Sequence, residues 1–168
     1  MGRDEELKSQ FAALVQEHSR SMYRSARALL PGEAQAQDAV GEAVLLAWQS
    51  FEKLRDHQAA KGWLVRITVN CAYAQLRRDR RLVELEKAEK VAVPEKEELP
   101  ENLWQAVLRL PEEQRLAVTL YYYEDMPVAQ IARTLGVPQG TIKSRLNRGR
   151  ERLRKLLEEE DGYGVQRL

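Results

Sequence analysis

Val128-Ala129-Gln130-Ile131-Ala132-Arg133-Thr134-Leu135-Gly136-Val137-Pro138-Gln139-Gly140-Thr141-Ile142-Lys143-Ser144-Arg145-Leu146 reads as two helices joined by a tight turn. Val128, Ile131, Ala132 and Leu135 recur at helical spacing, so one face of the first helix is apolar. Gly136 has no Cβ and can take the left-handed conformation that ends a helix, while Pro138 suits the opening of the next. Ile142, Leu146, Leu153 and Leu156 carry an apolar stripe along the second helix, with Lys143, Arg145, Arg148, Arg150, Arg152, Arg154 and Lys155 crowded around it. From Val128 to Lys155 eight basic residues face one acid, Glu151, in a chain whose formal net charge is only +1. A helix of this size fits the major groove of duplex DNA, where base edges carry a distinct pattern of donors and acceptors.

The second helix is expected from Pro138 to about Leu157. Gln139, Thr141, Lys143, Ser144 and Arg145 occupy its first turns and are the candidates for base contact. Arg148, Arg150 and Arg152, with Arg133 on the preceding helix, are the candidates for phosphate contact. A merely solvated helix supported by Glu151 and Glu158 is the alternative, but seven basic residues in the thirteen positions from Lys143 to Lys155 are too one-sided for charge balance.

Composition bounds the rest. The 168 residues, 43% hydrophobic and 32% charged, suit one helix-rich domain or two small ones. No apolar run approaches the roughly 18 to 20 residues needed to cross a bilayer, so membrane insertion is not expected. Met1-Gly2-Arg3-Asp4-Glu5-Glu6 is acidic, unlike a signal peptide, which points to a cytoplasmic protein. One cysteine, Cys71, and two histidines, His18 and His57, cannot build a metal cluster of recognised spacing, and Cys71 reads as a buried thiol. Phosphate-cradling glycine loops and nucleophile or zinc-protease motifs are missing from the sequence, so neither a cofactor nor a catalytic activity is expected.

Working towards the N-terminus, apolar residues keep recurring at three and four residues, which predicts an all-α protein. A first helix is expected over about residues 5–30, with Leu7, Phe11, Leu14, His18, Met22, Ala26 and Leu29 inward, ended by Pro31-Gly32. A second, over about 34–54, turns Val40, Ala43, Val44, Ala47, Phe51 and Leu54 inward. A third begins near Ala59 and runs through Trp63, Leu64, Ile67, Cys71 and Leu76 into Arg77-Arg78-Asp79-Arg80-Arg81, with Trp63 in the core. Beyond about Glu84 the apolar stripe gives way to a charged, extended linker. Shorter helices are then expected around Leu103–Leu110 and from Pro111, ahead of the helix pair quoted above. The organisation is therefore a three-helix N-terminal bundle and a four-helix C-terminal domain: residues 1–85, a polar linker 86–99, and residues 100–168.

The third helix carries chemistry of its own. Opened DNA offers unstacked bases and a single phosphate backbone, which basic side chains beside aromatic and amide groups can capture. Arg66, Asn70, Tyr73, Arg77 and Arg78 follow one another at separations that put most of them on one broad helical face. Tyr73 is open between packing and base stacking.

Four motifs in order resemble one family: Asp38-Ala39-Val40-Gly41-Glu42-Ala43-Val44-Leu45-Leu46-Ala47-Trp48; Trp63-Leu64-Val65-Arg66-Ile67 with Asn70 and Arg77-Arg78; Leu110-Pro111-Glu112-Glu113-Gln114-Arg115; and Ile131-Ala132 through Gly136 to Gly140-Thr141-Ile142-Lys143-Ser144-Arg145. Over about residues 7–157 the chain is similar to the extracytoplasmic-function sigma factors of the sigma-70 family. The resemblance implies an initiation factor that binds core RNA polymerase, with the N-terminal domain on the melted minus-10 strand and the C-terminal domain on the minus-35 duplex. It assigns polymerase binding to Asp38, Glu42, Leu45, Leu46 and Gln49; Leu45 and Leu46 also lie off the expected inward stripe. It assigns capture of a flipped base of the non-template strand to Asp56, His57 and Lys61, in the loop before the third helix. It further implies an anti-sigma factor that clamps the apolar faces of both domains and can hold the protein at the membrane, and a monomer when free. Gly41 stands where the family often has Gln, and Ala74 where it commonly has Asp. Two other readings stay open: a stand-alone helix-turn-helix repressor or activator with a dimerising or effector-binding N-terminal bundle, and a regulator that binds polymerase without opening DNA.

Overall fold

Seven helices and short turns of 3-10 and π geometry make up the computed structural model, which describes residues 2–86 and 102–161. They are α1 (Arg3–Leu29), α2 (Glu33–Ser50), α3 (Ala60–Glu86), α4 (Leu103–Leu108), α5 (Glu112–Val118), α6 (Val128–Leu135) and α7 (Gln139–Asp161). The all-α architecture, three helices and then four, is the one expected from the periodicity. The predicted linker beyond Glu86 lies outside the described residues, as do residues 162–168. The chain forms two compact units, Met1–Arg77 and Arg78–Leu168, with the division inside α3.

In the first unit, α1 ends because Leu30 precedes proline and is extended (φ −106°, ψ 140°), its N–H still reaching the Ala26 carbonyl at 2.9 Å. Arg27 closes the same end by donating to the Leu30 carbonyl at 2.9 Å. From α1, Phe11, Leu14, Met22, Ala26 and Leu29 are buried, while Leu7 and His18 are half-buried.

The inward face of α2 holds Ala43, Ala47 and Phe51 as expected, but its remaining members differ: Ala36 and Ala39 are fully buried, whereas Val40, Val44 and Leu54 stand half-buried at the margins. Alanine carries nothing beyond Cβ, so a face made of it lets α1 and α2 approach closely, which the branched valines would prevent. Trp63 is likewise half-buried and not enclosed: it precedes Arg66 by three residues and Asn70 by seven, at the edge of their exposed face. Leu64, Val65, Thr68, Val69, Cys71 and Ala72 form the buried side of α3. The buried hydroxyls are satisfied within their own helices, Ser25 donating to the Ser21 carbonyl at 2.6 Å and Thr68 to that of Leu64 at 2.7 Å.

In the second unit, Asn102 caps α4 by accepting the Gln105 N–H at 2.9 Å. Arg115 of α5 reaches back to donate to the carbonyls of Leu108 and Leu110, at 3.2 and 3.3 Å, and so pins the α4–α5 corner. A π turn, Thr119–Tyr123, follows α5, with the Glu124 N–H on the Thr119 carbonyl at 3.2 Å. Gly136 ends α6 in the left-handed conformation (φ 68°, ψ 35°), and the Val137 N–H closes on the Ala132 carbonyl at 3.0 Å. α7 then lies across the unit with Ile142, Leu146, Gly149 and Leu153 inward.

Gly149 is where α7 meets α5 most closely: a Cβ there would sit 2.8 Å from Val118 Cγ2. Gly41, exposed on α2, has nothing within 4 Å of a Cβ. Gly149→Ala is expected to destabilise the protein by about 1–3 kcal/mol through overpacking. Gly41→Ala is expected to stabilise it by up to about 1 kcal/mol, by removing a helix-interior glycine. Urea unfolding checks both, with midpoints moving in opposite directions.

Candidate nucleic-acid interface

The inward stripe of α7 sorts its polar residues into two others. Thr141, Ser144, Arg148 and Arg152, at steps of three, four and four, form a stripe away from the core; Arg148 and Arg152 are exposed and Thr141 and Ser144 half-exposed. Gln139, Lys143, Arg150 and Arg154 line a flank, all exposed. Arg133 is exposed on α6. Both stripes project from a rigid helix whose direction is set by the Gly136 turn and the Gly149 contact.

Two of the expected DNA contacts are occupied within the fold. Arg145 has only 20% of its side chain exposed and pairs with Glu113 of α5 at 3.5 Å. Arg150 donates to the Tyr122 hydroxyl at 2.5 Å and to Asn147 Oδ1 at 2.9 Å, with its guanidinium 5.8 and 5.6 Å from the Tyr121 and Tyr122 ring centres. Arg154 bonds Glu151 at 2.6 Å, and that hydrogen bond, with the carboxylate charge, raises its pKa further above the ordinary arginine value.

Sequence reasoning did not single out Tyr122, although the run Tyr121-Tyr122-Tyr123 is visible in it. Tyr122 is 49% exposed and helps to line an apolar groove of about 740 Å³ with Leu103, Val107, Val118, Tyr123 and Leu153, Arg150 and Arg154 standing among the lining residues.

In the first unit, Arg66, Asn70 and Arg77 are exposed along one face of α3; Arg78 is exposed beside them, and Tyr73 is half-buried and already has a contact. The loop before α3 is short and built. Its 3-10 turn, His57–Ala59, is capped by Asp56, whose carboxylate accepts the Gln58 N–H at 2.9 Å. The His57 ring stands 5.9 Å from that of Phe51, which is buried and packs on Phe11 at 5.0 Å. Lys61 is half-buried with a partner of its own.

On α2, Asp38, Leu45 and Gln49 are exposed and Glu42 is half-buried, along the side opposite the alanines. Leu45 and Leu46 are 68% and 44% exposed, a large apolar area to leave facing water. Leu46 and Gln49 share a shallow groove of about 440 Å³ with Lys53, Ile67 and Asn70, so the outer α2 face and the polar α3 face meet there. Lys53, which the sequence reading passed over, adds a positive charge to that groove.

Residues 14–82 match the family described as Sigma-70 region 2, and residues 101–153 the one described as Sigma-70, region 4. Over 150 residues the chain is 35% identical to the ECF RNA polymerase sigma factor SigM of Mycobacterium tuberculosis, covering 88% of this chain and 76% of that one. The chain belongs to the extracytoplasmic-function sigma factors. It is also 32% identical over 156 residues to SigL of the same organism, covering 88% of each. Among solved structures it resembles the sigma factor RpoE in its complex with the anti-sigma factor NepR from Bartonella quintana, with a TM-score of 0.75, 27% identity, and coverage of 89% of this chain and 97% of that one. As a sigma factor it is a promoter-directing initiation factor. No helix among the described residues of this sigma factor is long and apolar enough to cross a membrane.

The two kinds of arginine on α7 should separate experimentally. Arg148→Ala is expected to weaken duplex binding and lower the slope of log affinity against log salt by about one, with stability unchanged. Arg150→Ala is expected to lower stability by about 0.5–1 kcal/mol through loss of the tyrosine contacts. Salt-dependent fluorescence anisotropy and urea unfolding on the same variants check the pair.

Proposed function

We propose that this sigma factor joins core RNA polymerase through Asp38, Glu42, Leu45, Leu46 and Gln49, and reads a promoter with two further surfaces. Within residues 1–85, Arg66, Asn70, Tyr73, Arg77 and Arg78, with the loop carrying Asp56, His57 and Lys61, hold the melted non-template strand at the minus-10 element. Within residues 100–168, α7 enters the minus-35 major groove, where Gln139, Thr141, Lys143 and Ser144 reach bases and Arg148, Arg152 and Arg133 reach phosphates. Arg145 and Arg150 support the helix from its flanks and meet DNA only where their ties to Glu113 and Tyr122 allow. The protein works by binding and not by catalysis.

The observation that carries this reading is the groove between α2 and α3, where exposed Leu46 and Gln49 stand beside Asn70. A protein docked on the outer α2 face would lie next to the strand held along α3, as promoter opening by a polymerase complex requires. RpoE is seen with an anti-sigma factor. By analogy an anti-sigma partner covers the apolar α2 face and the groove lined by Leu103, Val107 and Tyr122, holding a monomeric, cytoplasmic factor inactive, at the membrane if that partner is anchored there.

Run-off transcription from a genomic fragment library, with purified core polymerase with and without the protein, tests the reading. Discrete starts sharing one pair of upstream elements are expected only when the protein is present. Tight duplex binding without any programming of polymerase would favour a stand-alone repressor or activator. Leu45→Asp is expected to reduce core-polymerase affinity by tenfold or more, on the order of 1.4 kcal/mol, while its unfolding midpoint stays near wild type because the residue is exposed.

A further inference from the structure

We infer that Tyr122 is a positioning residue that restrains DNA binding: it holds Arg150 of α7 to the body of the second unit and so withholds one phosphate contact from the duplex. The inference rests on the minus-35 role proposed above for α7 and adds a control to it. Arg150 follows Lys143 by seven residues along the same flank of α7, two turns beyond the residues that would reach bases. A helix inserted by its first turns passes the phosphate backbone where it leaves the major groove, and arginine is well suited to grip phosphate there.

In the folded protein that guanidinium is already engaged. Its Nε donates to the Tyr122 hydroxyl at 2.5 Å and its Nη1 to Asn147 Oδ1 at 2.9 Å. Both edges by which an arginine can hold a phosphate with paired N–H groups therefore carry a nitrogen in use. The guanidinium carbon stands 5.8 and 5.6 Å from the Tyr121 and Tyr122 ring centres, and those rings meet edge to face at 4.9 Å. The π turn Thr119–Tyr123 brings both consecutive tyrosines to the one cation.

Of these contacts, the tie to Tyr122 is the one that restrains. Asn147 lies three residues back on α7 and travels with Arg150, whereas Tyr122 fixes the guanidinium to the turn after α5. The tie is also openable, since Tyr122 is 49% exposed and Arg150 is exposed. Parting them leaves Ile142, Leu146 and Leu153 buried as before. An exposed hydrogen bond with a ring contact is comparable in strength to one phosphate contact, so the two compete for the same side chain.

The test measures binding of the full-length protein to a short duplex of mixed sequence, by fluorescence anisotropy across a salt series. Phosphate contacts are indifferent to sequence, so the promoter need not be known. Tyr122→Leu removes hydroxyl and ring but keeps an apolar side chain, and is expected to steepen the slope of log affinity against log salt by about 0.9. Its gain in affinity is then roughly 3.5-fold larger at about 50 mM than at about 200 mM salt. Tyr122→Phe keeps the ring, loses only the hydroxyl, and is expected to fall between wild type and Tyr122→Leu. Arg150→Ala is expected to leave the slope near wild type while Tyr122 is present, and to lower it by about 0.9 in the Tyr122→Leu background. A residue that merely stabilised α7 would not make one substitution depend on the other in this way. Equal slopes for wild type and both Tyr122 variants would overturn the inference, as would a steeper slope that survives in the double variant. An Arg148→Ala slope equal to wild type would instead sink the major-groove reading of α7, which is a separate outcome. Urea unfolding of each variant checks the fold, and Tyr122→Phe decides the matter if Tyr122→Leu fails to fold.

Discussion

Everything the second unit presents to a partner depends on how closely α7 can approach α5. The approach is set at one point, Gly149 against Val118, where there is no room for a methyl group. Close packing there draws Ile142, Leu146 and Leu153 into the core and fixes the rotation of the helix, which decides the faces its arginines occupy. The left-handed Gly136 sets the direction in which α7 leaves α6. The first unit uses the same device in a different residue, with four alanines along α2 in place of one glycine. In each case small side chains inside let long ones outside stand free.

This arrangement divides the basic stretch of α7, Lys143 to Lys155, into unequal parts. Arg145 and Arg150 flank the buried stripe and are drawn to partners on neighbouring elements, Glu113 and the tyrosines. Arg148 and Arg152 point away from the core and are exposed. The Arg145–Glu113 pair, half-buried on the arginine side and open on the glutamate side, sets where that charge sits.

Much of this was legible in the sequence, and the losses have physical causes. The helix-turn-helix was readable because Gly136 and Pro138 are local signals whose meaning barely depends on distant contacts. Ala43 and Ala47 were legible on the inward face of α2, but Ala36 and Ala39 were passed over for Val40 and Val44, because hydrophobicity weights valine above alanine whereas the distance between two helices selects the smaller residue. Trp63 was placed in the core by its apolar character, although its phase on α3 puts it beside Arg66 and Asn70. The loop residues Asp56 and His57 were legible as polar but not as occupied, since the cap on Gln58 and the ring of Phe51 appear only once the chain is folded. Arg150 fell to the same limit, because its tie to Tyr122 spans a turn of π-helix that periodicity cannot anticipate.

The continuity of α3 has a metric consequence. From Ala60 to Arg77 the helix runs without a break, and at 1.5 Å per residue it holds its two ends about 25 Å apart. A strand lying along it from the loop to Arg77 would meet a gauge that cannot stretch. The number of nucleotides such a strand could place between the two ends would be set by the rod.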